Sequence, residues 1–154
     1  MKNRTLQDLD EADRTLVEAA HEAADRAYAP YSCFAVGAAV RSASGTIHLG
    51  ANLENASYGL SLCAEAVALG AANTAGAYDI HTIAVVGRTQ TAATDRAVVT
   101  PCGRCRQLIA EAAGASDVDV RVLSCNADLT RIVESAISEL LPQAFGPASL
   151  TAKP

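Results

Sequence analysis

The chain has 154 residues, half of them hydrophobic, with no tryptophan and a net charge of -5. That length suits a single domain over 1–154 and leaves no room for a second, and the acidity disfavours a binder of phosphate backbones, so nucleic acid is not an expected partner. No run approaches the roughly 18–20 apolar residues of a membrane span, and the N-terminal stretch lacks the apolar core of a signal peptide, so the expectation is a cytoplasmic protein with no membrane partner.

Apolar residues at helical spacing (Leu6, Leu9, Leu16, Ala19, Ala20, Ala23, Ala27), with charges between them, predict a helix over 6–28 that Pro30 ends. Small apolar residues over 34–40, turn residues at Ser42-Ala43-Ser44-Gly45 and an extended pattern over 46–50 predict a β-hairpin. A polar, turn-rich loop follows over 52–61. An alanine-rich helix over 62–75 starts at or just before Cys63. A buried-type strand is expected over 80–86, a loop over 89–96 and a short approach over 98–100. Next come a helix over 103–113 stopped by Gly114 and a strand over 118–123. The segment 129–141 fits helix or strand, and Pro142 and Pro147 punctuate the end. Strands and helices in this order predict a layered α/β domain, without internal repeat or linker.

The chemistry is expected at the cysteines. Cys33, Cys63, Cys102, Cys105 and Cys125 make an odd set, and a reducing compartment disfavours a disulfide framework, which leaves metal binding or redox work for a close pair. Cys102 and Cys105 straddle one helix start and Cys63 opens another. If those starts face each other, three thiols converge where two helix dipoles point their positive ends. As a dithiol pair, Cys102 and Cys105 fit a redox motif at a helix N-terminus. As half of a closed structural zinc site they want a second Cys/His pair. His21, His48 and His81 are isolated, and Cys33 and Cys125 lie in strand-like sequence where a lone cysteine is usually core. The third reading joins Cys63-Ala64-Glu65 to Pro101-Cys102-Gly103-Arg104-Cys105. Three protein ligands leave a fourth position for water, the mark of a catalytic zinc, and Glu65 is close enough in sequence to reach that water without binding the metal. Alone, Glu65 reads as a solvated helix glutamate. A ligand-x-Glu followed by Pro-Cys-x-x-Cys is the pattern of zinc deaminases, including a three-cysteine form.

Four motifs in order, YSCFAVGAAV, GANLENASYGLSLCAE, TPCGRCRQ and ELLPQAFGP, make 31–147 resemble the small cytidine deaminases that form homotetramers. Several are shared with the related blasticidin S deaminases. The resemblance implies a three-layer α-β-α fold around a mixed sheet of about five strands. It implies one Zn2+ per subunit on Cys63, Cys102 and Cys105, with Glu65 as proton shuttle. It further implies Asn52 and Glu54 on the ribose hydroxyls, Phe34 beside the nucleoside, and main-chain contacts to the base at Ala64 and Thr100. Tyr58 and Phe145 would reach a neighbouring subunit's site. The implied reaction is hydrolytic deamination of cytidine and deoxycytidine in pyrimidine salvage. Simpler roles stay open: Phe34 as strand core, Asn52 and Glu54 as turn residues, Phe145 docking the tail on its own subunit.

Two positions depart from the family. Three thiolates give a zinc site of net charge about -1, which something positive must offset. Where the cytidine deaminases usually read Cys-Ala-Glu-Arg this chain has Ala66, which leaves Arg104 and Arg106 as candidates for charge compensation. Ala35 stands where the family commonly has proline. Rival readings are a deaminase of a modified cytosine nucleoside such as blasticidin S, a thiol-disulfide protein, and a zinc-stabilised binding module.

Overall fold

The computed structural model describes residues 1–89 and 97–151. A six-stranded mixed sheet, with strand order β1-β6-β5-β4-β2-β3, carries helices on both faces. The strands are β1 (Lys2–Arg4), β2 (Phe34–Ser42), β3 (Ile47–Ala51), β4 (Ile80–Thr89), β5 (Arg121–Cys125) and β6 (Ile132–Ala136). The helices are α1 (Glu11–Ala23), α2 (Ala64–Thr74), α3 (Gly103–Ser116), α4 (Ile137–Leu140) and α5 (Pro147–Thr151). β4 and β5 run parallel across the α3 crossover, and the remaining pairs are antiparallel.

Alternation along the strands divides the core in two. On one face Ala38, Val40, Ile83, Val85 and Val122 pack against α2, α3 and Ile137 of α4. On the other Ala39, Ala84, Val86, Leu123 and Cys125 pack against Leu16, Val17 and Ala20 of α1. Small residues let a helix sit hard on the sheet. A Cβ on Gly50 of β3 would stand 2.2 Å from the Ala64 carbonyl oxygen and 2.4 Å from the Ala68 nitrogen. Glycine at that position therefore fixes where α2 begins, and with it the place of Cys63 and Glu65.

The three-layer arrangement agrees with expectation, with six strands where about five were expected. The extra one is β1, a three-residue strand of sequence Lys-Asn-Arg on β6, which has no apolar alternation to announce it. The first helix is shorter than 6–28. The Asp10 side chain accepts from the Asp13 amide and caps the helix there, and 6–8 form a separate 3-10 turn. At its other end Tyr28 is drawn into main-chain pairing with Asn52 and Glu54. Gly114 does not stop α3, which continues to Ser116 and turns at Asp117 with φ 52. The Val118 amide still bonds back to Ala113, so the strand expected over 118–123 begins only at Arg121. The ambiguous 129–141 contains both alternatives, β6 and then α4. β4 runs on to Thr89, and the rest of the loop expected over 89–96 lies outside the described residues. No described helix is long and apolar enough to cross a membrane.

Candidate active site

Two helix starts meet beyond the carboxyl ends of the parallel pair, the place where open α/β sheets form their crevices. The approach to α3 is seated there by the Val99 amide, which donates to the Cys125 carbonyl at 3.1 Å. Cys63 is the N-cap residue of α2 and Cys102 that of α3, and neither side chain bonds back to cap its own helix. Their sulfurs lie 3.9 Å apart. Cys105, buried in the first turn of α3, completes a cluster in which the three sulfurs all lie within 4.8 Å of one another. A tetrahedral zinc with Zn–S bonds near 2.3 Å would hold its sulfurs about 3.8 Å apart. The cluster fits such an ion.

The electrostatics also ask for a cation. Glu65, in the first turn of α2, is only 4% exposed, and burial pushes its carboxyl above the usual range. Burial, then the charge of Glu65, pushes up the Cys105 thiol. Cys63 is raised by burial, with Glu65 adding to it against a hydrogen bond from Cys105. At Cys102 burial works upward too, but the Cys105 amide and the two neighbouring thiols bring it below the ordinary value. Among the described residues no ion pair joins any of the four. Four acidic groups thus share one partly dry site with no ion pair among the described residues, and the two helix N-termini supply partial positive charge there.

The cluster forms one wall of a cleft of about 350 Å³, a volume suited to a small molecule. Phe34, Asn52, Glu54, Ala64, Glu65 and Thr100 line it together with Cys63 and Cys102. The Asn52 amide is built into the wall: Oδ1 accepts from the Val36 amide at 2.8 Å and Nδ2 donates to the Phe34 carbonyl at 3.0 Å. One N–H and one lone pair remain for a ligand. Glu54 Oε2 accepts from the amides of Tyr31 and Ser32 at 2.9 and 3.2 Å. Hydrogen bonds from Ser32 and the Tyr31 amide hold its carboxyl below the usual range, so it is an acceptor at neutral pH. Glu54 also lines an adjoining hollow with Tyr31 and Tyr58, whose rings are 5.8 Å apart.

Other expected site residues lie elsewhere. Tyr58 and Phe145 do not line the thiol cleft and are 74% and 61% exposed. Arg104 is exposed on the first turn of α3. The Arg106 guanidinium donates to main-chain carbonyls, Nε to Pro101 at 2.9 Å and Nη1 to Leu140 at 3.1 Å. Gln107, which closes the TPCGRCRQ motif and had no expected role, donates from Nε2 to the Phe145 carbonyl at 2.7 Å. Only its place in that motif could have pointed to it.

Comparison with known proteins agrees with this geometry. Residues 10–121 match the family described as the cytidine and deoxycytidylate deaminase zinc-binding region. A cytidine deaminase of Halalkalibacterium halodurans is 45% identical over 130 residues, covering 84% of this chain and 91% of that protein. A cytidine deaminase of Mycobacterium tuberculosis is 38% identical over 130 residues, covering 82% and 84%. The crystal structure of cytidine deaminase from Burkholderia pseudomallei superposes with a TM-score of 0.75 at 37% identity, covering 89% of this chain and all of that one.

Proposed function

The chain belongs to the family of zinc-binding cytidine and deoxycytidylate deaminases. From that premise we propose that it is a zinc-dependent cytidine deaminase. It converts cytidine and deoxycytidine to uridine and deoxyuridine and releases ammonia, a step of pyrimidine salvage. The observation that carries this is the convergence of Cys63, Cys102 and Cys105 to within 4.8 Å beside the buried Glu65 in one cleft.

Cys63, Cys102 and Cys105 hold one Zn2+ per subunit. When bound, zinc would supply Lewis acidity that makes a water molecule in the cleft easier to deprotonate. Glu65 would carry the protons: as a water oxygen adds to the ring carbon that bears the amine, Glu65 moves that water's first proton to the ring nitrogen, then moves the second from the added hydroxyl to the amine, so that the C–N bond breaks and ammonia leaves. One water enters and one ammonia departs. Asn52 and Glu54 hold the ribose hydroxyls through the donor and acceptor capacity that their main-chain bonds leave free. Phe34 packs beside the base, and the main chain at Ala64 and Thr100 meets its polar edge. Arg104 and Arg106 offset the negative charge of the thiolates from a distance.

Tyr58 and Phe145 act across subunits of a homotetramer, a role supported by their exposure away from the cleft of their own chain. Five free thiols suit a cytoplasmic location. Dilution tests the sharing: activity and tetramer should disappear together, and an active monomer would contradict it. The activity itself is tested by ultraviolet absorbance with cytidine, deoxycytidine and blasticidin S in parallel, with zinc measured on the same sample. Loss of the cytidine band with about one zinc per chain supports the proposal. Turnover of blasticidin S alone would favour the modified-nucleoside reading, for which Ala66 speaks. Bound zinc without turnover of any of the three would point to a binding module, and metal-independent thiol chemistry would point to a redox protein.

A further inference from the structure

Arg106 and Gln107 stand one and two residues past the zinc-ligand candidate Cys105, yet both reach toward the C-terminal segment. Arg106 Nη1 holds the Leu140 carbonyl at 3.1 Å and Gln107 Nε2 holds the Phe145 carbonyl at 2.7 Å, so α3 grips the segment at two points five residues apart. Within the span Pro142 has its φ restricted by its ring and Gln143 sits in the left-handed region with φ 57. A third hold lies farther along α3, where Pro147 Cδ comes within 3.0 Å of the place a Cβ on Gly114 would take. The backbone is therefore fastened on both sides of Phe145 while its side chain remains 61% exposed. An aromatic ring on a fixed backbone with an open face is partly preorganised to contact something outside its own chain, because the backbone share of the entropy of placing it is already spent.

We propose that Gln107 is a positioning residue for substrate binding. By holding the Phe145 carbonyl on α3 it sets where the Phe145 ring is presented to the cleft of a neighbouring copy. This rests on the shared site proposed above. It makes a separate claim about that site, that the amide donor of Gln107, and not only the ring of Phe145, determines affinity for the nucleoside. The same helix carries Cys102 and Cys105 at its start, so one rigid element places both a subunit's own metal ligands and the ring it lends out.

The test uses the zinc-loaded enzyme and reads KM and kcat for cytidine, zinc content and oligomer mass. Gln107→Met keeps the length of the side chain and removes its donor. It should raise KM about three- to tenfold, the span of one net hydrogen bond, with kcat within about twofold and zinc and mass unchanged. Gln107→Lys, which restores an N–H donor, should recover most of the affinity. In a Phe145→Ala background Gln107→Met should add nothing, since both act through one ring. The proposal is overturned if Phe145→Ala raises KM and Gln107→Met does not, or if the two effects add. A Phe145→Ala enzyme with unaltered KM overturns the shared-site reading as well. Should the Met variant not fold, Gln107→Glu, which places an acceptor against the carbonyl, gives the same comparison.

Discussion

Two buried carboxylates, each in the first turn of a helix packed on the sheet, are treated in opposite ways. Asp13, in the first turn of α1 and 2% exposed, accepts from Arg41 Nη2 and Arg121 Nη2, each at 2.6 Å. Arg121 also approaches Glu134, to which Arg4 donates at 2.9 Å. Glu65, in the first turn of α2 and nearly as buried, has three thiols for company and no ion pair among the described residues. Burial by itself pushes both carboxyls up. At Asp13 the two arginines overcome it and hold the group below its usual range, whereas at Glu65 burial prevails. Where buried charge serves stability, the fold provides its own cations. At the thiol cleft no ion pair among the described residues does the same, and the raised carboxyl of Glu65 suits a group that exchanges a proton.

That contrast can be broken first at the site. Glu65→Ala should lower kcat by about 10² to 10⁴, the range of a lost general acid–base group, while zinc content stays unchanged; wild-type turnover would remove Glu65 from the chemistry. Chelation should abolish turnover and lower Tm, because the binding energy of a metal is also folding energy. Asp13→Asn should show the same chelator-induced drop, since its cluster takes no part in holding zinc. An Asp13 variant whose Tm no longer responds to chelation would show the two regions to be coupled.

Effects at the charged cluster should be on stability alone. Asp13→Asn leaves two arginines facing a neutral amide and should cost about 3 kcal/mol in urea unfolding, with KM and kcat retained in the folded fraction. The acid dependence sharpens this. A carboxyl whose folded pKa is depressed contributes stability that is complete above its unfolded pKa of about 3.9 and is lost as pH falls through the folded value. Wild type should therefore lose stability below about pH 4 with a steeper slope than Asp13→Asn, and equal slopes would assign the acid sensitivity to other carboxylates. The smallest effect is expected at Arg106→Gln, whose wild-type side chain bonds Pro101 and Leu140. It should retain zinc several-fold less well, about 1 kcal/mol, or shift the pH optimum. No change in either would place the charge compensation elsewhere.

Much of the site was legible because its chemistry is local in sequence. Cys63-Ala64-Glu65 and Pro101-Cys102-Gly103-Arg104-Cys105 each lie within one turn of a helix start, so spacing alone put their side chains near one another. The cleft residues Asn52 and Glu54 were legible as polar loop positions, but their main-chain partners at Phe34, Val36, Tyr31 and Ser32 were not. Those bonds cross from one segment to another, and nothing in Asn-Leu-Glu-Asn says which backbone it will meet. Among the elements, the long amphipathic helix was marked by its periodicity and the strand at 80–86 by its buried-type apolar composition. The edge strand Lys2–Arg4 had neither, and Gly114 misled because a helix pressed by Pro147 needs a small residue there more than it needs a stop.

By itself the sequence determined which groups are candidates for the chemistry and that the cysteines and Glu65 come in two short blocks at helix starts, since capping, turn and spacing rules act over a few residues. Only the tertiary structure decided that Cys63 and Cys102 stand 3.9 Å apart across 39 residues of chain, and that Asp13 meets two arginines. It also decided that Gln107 holds Phe145. The physical reason is the sheet, whose register and close helix seating at Gly50 carry distant segments to fixed positions that no local preference encodes.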